Sequence, residues 1–534
     1  MASLHGNNFI AGSLRGPSAD AGQGSGCLYV ATSPLDGMKL PGQFQFASLE
    51  DVEDAMQAAA GAAQPFALTS GDQRARLLEA IAEEILALDD VLLERAAIET
   101  ALPAARLTGE RGRTVGQLRL FAAVARDCSW LDVRIDRSQP DRQPLPRSDL
   151  RRMKVPIGPV VVFGSSNFPL AFSVAGGDTA SALCTGNPVV VKAHRGHPGT
   201  SELVAGAIQR AVAGCGLPAG IFSMLHGEGS VIGTALVTHP ATRAVGFTGS
   251  RAAGRALVDA AGGRPDPIPV FAEMSSLNPV FILPGALADR TREIAEGFKA
   301  SLTLGVGQFC TKPGLLFAVE GPDLVRFRAA LRECIAAAPI GSMLHADILA
   351  AFDRGRTALL NVPGTHVLAR STAIPEAVKT HALPLVVETD AATFLAHGQL
   401  SEEVFGPCSL LVAAPTLAGL RTLARGLDGQ LTATIHGTPQ DLAAAGDLIQ
   451  MLSQTAGRVI VNGFPTGVEV CHAMQHGGPW PATSDSRFTS VGSAAVERFV
   501  RPICYQDVPE ALLPEPLKDA NPLGLGRLVD GVRA

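Results

Sequence analysis

A chain of 534 residues is too long for one hydrophobic core, so two or three domains are expected. Its 46% hydrophobic and 18% charged content is that of an ordinary globular protein, and a formal net charge of -6 argues against a nucleic-acid or anionic-membrane partner. No run approaches the ~18 uninterrupted apolar residues of a membrane span, and MASLHGNNFI lacks the basic-then-apolar order of a signal peptide. Nine cysteines without CxxC spacing speak against a disulfide framework or a zinc ribbon and point to a reducing, cytoplasmic setting.

Residues of about 50–130 read as helices rich in Ala, Leu and Glu, among them 72–88 and 90–99. Residues 135–153, containing QPDRQPLPRSD, are charged and Pro-bearing and suggest an extended arm. Short apolar runs then alternate with helical stretches. Strands are expected at 157–163, 188–192, 221–225 and 244–247, with helices at 176–184 and 199–213. This rhythm implies right-handed crossovers and an open parallel sheet. A second α/β stretch runs from about 279 to 463, with strands at 314–319, 409–412 and 458–461. The tail after Arg487 alternates polar and β-branched residues and reads as an edge strand.

Chemistry concentrates in a few segments. In GVGQFCTKPG, Cys310 sits among glycines and a proline, where backbone approaches a substrate closely and N–H groups near a helix end lower a thiol's pKa. Either it is a nucleophile or it is a small buried hydrophobe beside a turn. In FAEMSSLNPVF, Glu273 ends a strand-like segment, as a general base or as a solvated cap. Asn167, in FGSSNFPLAFS, is either an oxyanion donor or a helix N-cap. Gly227, Gly229 and Gly233 in HGEGSVIG are spaced GxGxxxG, off the GxGxxG dinucleotide fingerprint. GFTGS, with Gly249 and Ser250, opens a helix and can offer N–H groups to a phosphate, and Lys192 ends a strand at the edge where α/β sheets bind ligands. Each of these also fits plain turn chemistry or a snorkelling surface lysine.

The Asn turn, the strand-ending lysine, FTGS, the Glu segment, GQFCTKPG and EEVFGP occur in that order, and over nearly its whole length the chain resembles the aldehyde dehydrogenase superfamily. The resemblance implies Cys310 as nucleophile, Glu273 as general base, and Asn167 with the Cys310 N–H as oxyanion hole. It places Lys192 on the adenosine ribose, Ser250 on the pyrophosphate beside Gly229, Gly233 and Gly249, Glu403 on the nicotinamide ribose, and Phe405 against the nicotinamide ring. The implied fold is α/β. A Rossmann-type cofactor domain (1–134 and 154–275) joins a catalytic α/β domain (276–468) and a small oligomerisation sheet (135–153 with 487–510), in a homodimer or homotetramer.

Two stretches, GGDTASALCTGNPVVVKAHRGHPGTSE and PTGVEVCHAMQHGGPWPATSDSRFTSVG, resemble a narrower group, the α-ketoglutaric semialdehyde (2,5-dioxovalerate) dehydrogenases. Oxidation of 2,5-dioxopentanoate to 2-oxoglutarate is then expected. The related fatty aldehyde dehydrogenase of luminous bacteria supplies an alternative with a long apolar aldehyde, and a non-catalytic scaffold is a third reading. A substrate carboxylate needs a cation, for which Arg113 and Arg119 are candidates. Many family members carry a glutamate three residues after the strand-ending lysine. Arg195 stands there, which favours a 2′-phosphate and hence NADP over NAD. Cys471, His472 and His476 lack the partners of a zinc site; with Trp480 they read as a loop lining the substrate funnel, and no metal is expected.

Overall fold

The computed structural model describes residues 4–16, 28–374 and 380–533, and Cys27 lies outside them. The alternating apolar runs form a parallel sheet of Val270–Glu273, Ala244–Thr248, Val160–Phe163, Val189–Lys192 and Phe222–Leu225, side by side in that order. A hairpin, Asn8–Ile10 with Ser13–Arg15, extends it antiparallel at the Phe222–Leu225 edge. Because side chains alternate along a strand, Val160, Val162, Val189 and Val191 enter one core with the helices Gly71–Leu86, Ala104–Asp127 and Pro198–Gly214. Val161, Phe163 and Val190 enter another with Leu49–Ala67 and Arg251–Gly262. Burial on both faces explains why these strands are nearly continuous in Val.

The second sheet runs His366–Arg370, Leu385–Asp390, Cys408–Ala414, Leu315–Val319, Val280–Ile282, Gln430–His436, Ala456–Val461. All neighbours are parallel except the first pair. The third sheet joins Val500–Gln506, Leu150–Pro156, Arg134–Asp136 and the hairpin Leu528–Val529/Val532–Arg533.

The elements expected from sequence are found close to their expected positions, but the second sheet has four further strands, Val280–Ile282, His366–Arg370, Leu385–Asp390 and Gln430–His436, that were not among them. The expected helices at 72–88 and 90–99 are Gly71–Leu86, started by the Ser70 capping box with Gln73, and Asp89–Thr100. In the tail, Ser493–Phe499 is a 3₁₀ segment and only Val500–Gln506 is strand; left-handed Gly492 (φ 90) turns the chain, and Ala495, Val496 and Phe499 are buried. The arm's small sheet also takes in the hairpin at 528–533, which carried no sequence signal. Among the described residues no helix is long and apolar enough to cross a membrane.

What matters for function is how the sheets meet. Lys192, Thr248 and Glu273 lie at carboxyl ends of first-sheet strands. Asn278, Cys310 and Gly406 lie just before the amino ends of second-sheet strands. Hydrogen bonds join the two sets into one site.

Candidate active site

The helix Pro284–Thr303 ends in three successive left-handed residues, Gly305 (φ 55), Val306 (φ 59) and Gly307 (φ 66). Gly307 has no alternative: a Cβ there would lie 2.4 Å from the carbonyl of Gly406. Val306 holds a conformation that β-branched residues resist. The tight path delivers Cys310 to the site and lays its loop against the loop carrying Glu403 and Phe405. A clip holds it there. Asn278, fully buried at φ 49, donates from Nδ2 to the carbonyls of Cys310 (2.8 Å) and Lys312 (3.0 Å). Its own position is set by Gln430 Oε1, which accepts from the N–H groups of Leu277 (2.8 Å) and Asn278 (3.1 Å).

Three side chains converge on the sulfur. Glu273, Cys310 and His476 bring an oxygen, a sulfur and a nitrogen within 4.8 Å of one another. His476 Nε2 lies 2.9 Å from Glu273 Oε1 and 3.4 Å from Cys310 Sγ. Ser490 Oγ donates to Glu273 Oε2 at 2.6 Å. The loop that carries His476 and Ser490 is pinned to itself by His476 N to Thr489 Oγ1 (2.8 Å) and Ser490 N to His476 O (2.9 Å), and to the strand end by Met274 N to Ala482 O (2.8 Å). Asn167 donates from Nδ2 to the Gln308 carbonyl at 2.9 Å, which leaves the second amide hydrogen free.

Electrostatics define the resting state. Burial and the Glu273 carboxylate push the Cys310 thiol well up, the reverse of the lowering expected from a turn rich in backbone N–H groups. The N–H effect is outweighed because the sulfur is desolvated beside an anion. For Glu273, burial raises the pKa, but His476, Ser490 and Cys310 together outweigh it and hold the carboxyl low. The resting pair is therefore a thiol beside a carboxylate.

The cofactor candidates divide into direct and packing roles. Lys192 ends its strand, and burial, helped by Arg195, brings its ammonium down to about 8. Ser250 caps the helix Arg251–Gly262, its Oγ accepting from Ala253 N at 3.3 Å, so the first turn's N–H groups face the sheet edge. Gly229 opens a wide π turn, Gly229–Gly233, and a Cβ there would meet nothing within 4 Å. That extra-residue turn accounts for GxGxxxG in place of GxGxxG. Gly233 and Gly249 instead admit close packing, since a Cβ would press on Phe163 at 2.9 Å and Phe247 at 2.6 Å. Burial raises Glu403 to about 7 against the pull of Lys312, and Ser275 and Ser276 hydrogen-bond to it. Phe405 adjoins it, half-buried. The buried lysine, the open glycine turn and the capped helix start could hold the ribose and phosphates of a dinucleotide.

Arg195 is exposed and pairs with Asp347 at 2.5 Å. His194 beside it stacks on His197 at 5.4 Å and approaches His345 at 5.9 Å. Burial lowers the pKa of all three histidines.

Of the substrate candidates, only Arg113 reaches the site. Its guanidinium lies over Phe168 (5.8 Å) and Phe172 (5.4 Å), which pack with Phe309 and Val491. Arg119 does not. Six residues is not a whole number of helical turns, so it emerges on another side of Ala104–Asp127, exposed, donating to Glu83 at 2.8 Å. Trp480 is also displaced: it is 45% exposed and lies over Arg251 and Arg255, at 5.9 and 5.8 Å, on the helix that Ser250 caps. Gly429 N holds the Trp480 carbonyl at 3.1 Å and fixes the loop there. In the Cys471, His472 and His476 set, His472 bonds Ser493 at 3.0 Å while His476 faces Glu273. The loop of His476 was expected to line the substrate funnel, but no sequence signal marked its contact with Glu273 and Cys310, or marked Asn278 or Ser490.

A parallel-sheet fold with a cysteine, a carboxylate and an amide donor converging beside a dinucleotide-type edge defines a thiol-dependent aldehyde oxidoreductase. The family profile described as aldehyde dehydrogenase family matches residues 26–350, and the chain belongs to that family: it is an NAD- or NADP-dependent aldehyde dehydrogenase forming the acid. It is 55% identical over 516 residues to alpha-ketoglutaric semialdehyde dehydrogenase 2 of Azospirillum brasilense, covering 96% of this chain and 98% of that protein. It is 49% identical over 490 residues to the alpha-ketoglutaric semialdehyde dehydrogenase of Acinetobacter baylyi, covering 92% of each. Among solved structures, 3,6-anhydro-L-galactose dehydrogenase in complex with NAP is similar with a TM-score of 0.79 at 22% identity, over 94% of this chain and 99% of that one, a likeness of fold.

Proposed function

We propose that the protein oxidises 2,5-dioxopentanoate to 2-oxoglutarate through a thioester on Cys310, with NADP accepted as well as NAD. The observation that carries this reading is the convergence of Glu273, Cys310 and His476 within 4.8 Å, on a chain 55% identical to a protein named for that substrate. Glu273, hydrogen-bonded to Cys310, takes the thiol proton as the sulfur attacks the aldehyde carbon. The Nε2–H of His476, between carboxylate and sulfur, follows the negative charge from one to the other. Asn167, anchored by one amide hydrogen on Gln308, offers the other to the oxyanion together with the Cys310 N–H. A bound nicotinamide dinucleotide supplies the hydride acceptor, held by Lys192, the Ser250 helix start and Glu403. After releasing its proton to solvent, Glu273 activates the water that hydrolyses the thioester, and Ser490 keeps its carboxylate turned toward the sulfur.

Arg195 is exposed and its partner Asp347 is an exposed carboxylate, a pairing that a ribose 2′-phosphate can replace, which supports use of NADP. The aromatic surround of Phe168, Phe172 and Phe309 favours the second reading, a longer apolar aldehyde. A panel of 2,5-dioxopentanoate, pentanal and decanal with both cofactors separates them. The favoured reading expects the highest kcat/KM for the dioxo acid, no turnover in Cys310→Ala, and a fall of about tenfold in the NADP:NAD ratio in Arg195→Glu. Higher kcat/KM for decanal overturns it. Free cysteines among the described residues fit a reducing, cytoplasmic setting, and the edge strand Val500–Gln506 fits assembly into a homodimer or homotetramer.

A further inference from the structure

Arg113 is a half-buried charge whose Nε and Nη2 are shut off from solvent without a hydrogen-bond partner. Such N–H groups are costly to leave unpaired. Nε and Nη2 form one edge of the guanidinium, the fork that matches the two oxygens of a carboxylate. Arg458 anchors the loop that packs on the same apolar cluster. Its two Nη groups donate to the carbonyls of Pro465 (2.8 Å) and Gly467 (3.1 Å), at the start of the loop whose Val468 and Val470 pack on Phe168 and Phe172. Its Nε is likewise buried and unpartnered. Both arginines lie within electrostatic reach of the Cys310 sulfur.

We propose that Arg113 and Arg458 form a substrate clamp, Arg113 gripping the distal carboxylate with its Nε–Nη2 edge and Arg458 donating its one free Nε–H to the 2-oxo oxygen. The clamp rests on the reading above and deepens it by assigning the carboxylate and the 2-oxo oxygen of the substrate to separate side chains. The phenylalanines give the methylene chain an apolar bed and keep water from competing for the carboxylate. Arg106 is already committed, since it donates to Glu110 at 3.1 Å.

The test compares three aldehydes of equal length: 2,5-dioxopentanoate, 5-oxopentanoate and pentanal. Because Arg113 also faces the sulfur, Arg113→Met is read as the ratio of kcat/KM for either acid to that for pentanal, which is expected to fall about 100-fold. Arg458→Met also frees two carbonyls, so it is read as the ratio of 2,5-dioxopentanoate to 5-oxopentanoate, which general loosening of the loop does not move; that ratio is expected to fall about tenfold. Equal losses on pentanal and the acids in Arg113→Met overturn the clamp, as does an unchanged oxo-acid ratio in Arg458→Met. If wild type prefers the acids and Arg113→Met keeps the preference, the clamp fails and the substrate reading survives. A wild-type preference for pentanal removes that reading, and the clamp with it.

Discussion

In the proposed mechanism His476 is the side chain placed to follow charge from Glu273 to the Cys310 sulfur. Burial and Glu273 hold Cys310 as a thiol, so the reactive fraction grows as pH rises through the elevated pKa. Removing the carboxylate's charge removes one cause of the elevation. Glu273→Gln is therefore expected to move the pH midpoint of iodoacetamide alkylation of Cys310 downward, even though hydrolysis of the thioester is lost; an upward or absent shift refutes the electrostatic account. His476→Ala removes the donor that follows the charge, and kcat/KM is expected to fall about 100-fold, with partial recovery in His476→Gln, whose amide retains an N–H. Equal losses in both variants refute the donor role. Cys310, Glu273 and Asn167 were legible from sequence because each sits in a local pattern of glycine, proline or strand end. The part of His476 was not. Its partners lie 203 and 166 residues away, and nothing in CHAMQHGG announces which of two histidines turns inward. Arg458 and Asn278 share that difficulty, since their roles exist only across the junction of two sheets.

At the scale of elements, unbroken apolar runs such as PVVVK made several parallel strands readable, although Val280–Ile282 and the LVV start of Leu385–Asp390 are as apolar and neither strand was among the expected ones. Gln430–His436 escaped because QLTATIH looks half polar, yet every position is buried. Its polar groups are spent inward: Gln430 accepts from the Leu277 and Asn278 N–H groups, and Thr432 Oγ1 donates to Asn278 Oδ1 at 2.9 Å. The strand is thus half of the clip that holds the cysteine loop. The same loop depends on its left-handed triplet. Gly307→Ala adds a side chain at positive φ against the Gly406 carbonyl, and a loss of about 2 kcal/mol is expected, seen as a lower thermal midpoint. Because Gly406 belongs to the Glu403–Phe405 loop, the variant is also expected to raise KM for the cofactor. A thermal loss with unchanged cofactor KM separates the two loops and removes the coupling.

Over the whole molecule, one sheet presents its carboxyl edge and the other its amino edge to a shared site, while the third stands apart with an open strand. The register of that strand says which of its N–H groups face outward. Pro502 pairs with Lys154 and Pro156 with Val500, and neither proline has an N–H to give, so these are non-hydrogen-bonded pairs. Ile157 N to Phe499 O (3.3 Å) and Asp507 N to Asp149 O (2.9 Å) fix the alternate positions as the bonded ones. Cys504 falls in the Pro502 series, so its N–H points away from Leu150–Pro156, and that of Ile503 points toward it. If a second chain adds to this edge, Cys504→Pro removes a bond between subunits and leaves the ladder within the chain intact. Light scattering is then expected to give two or four times 55.3 kDa for wild type and a shift toward 55.3 kDa in Cys504→Pro at micromolar concentration, without loss of thermal stability at high concentration. Ile503→Pro is expected to do the opposite, lowering the thermal midpoint by breaking the inner ladder. A monomeric wild type, or a Cys504→Pro variant of unchanged mass, would show that the edge is not where subunits meet.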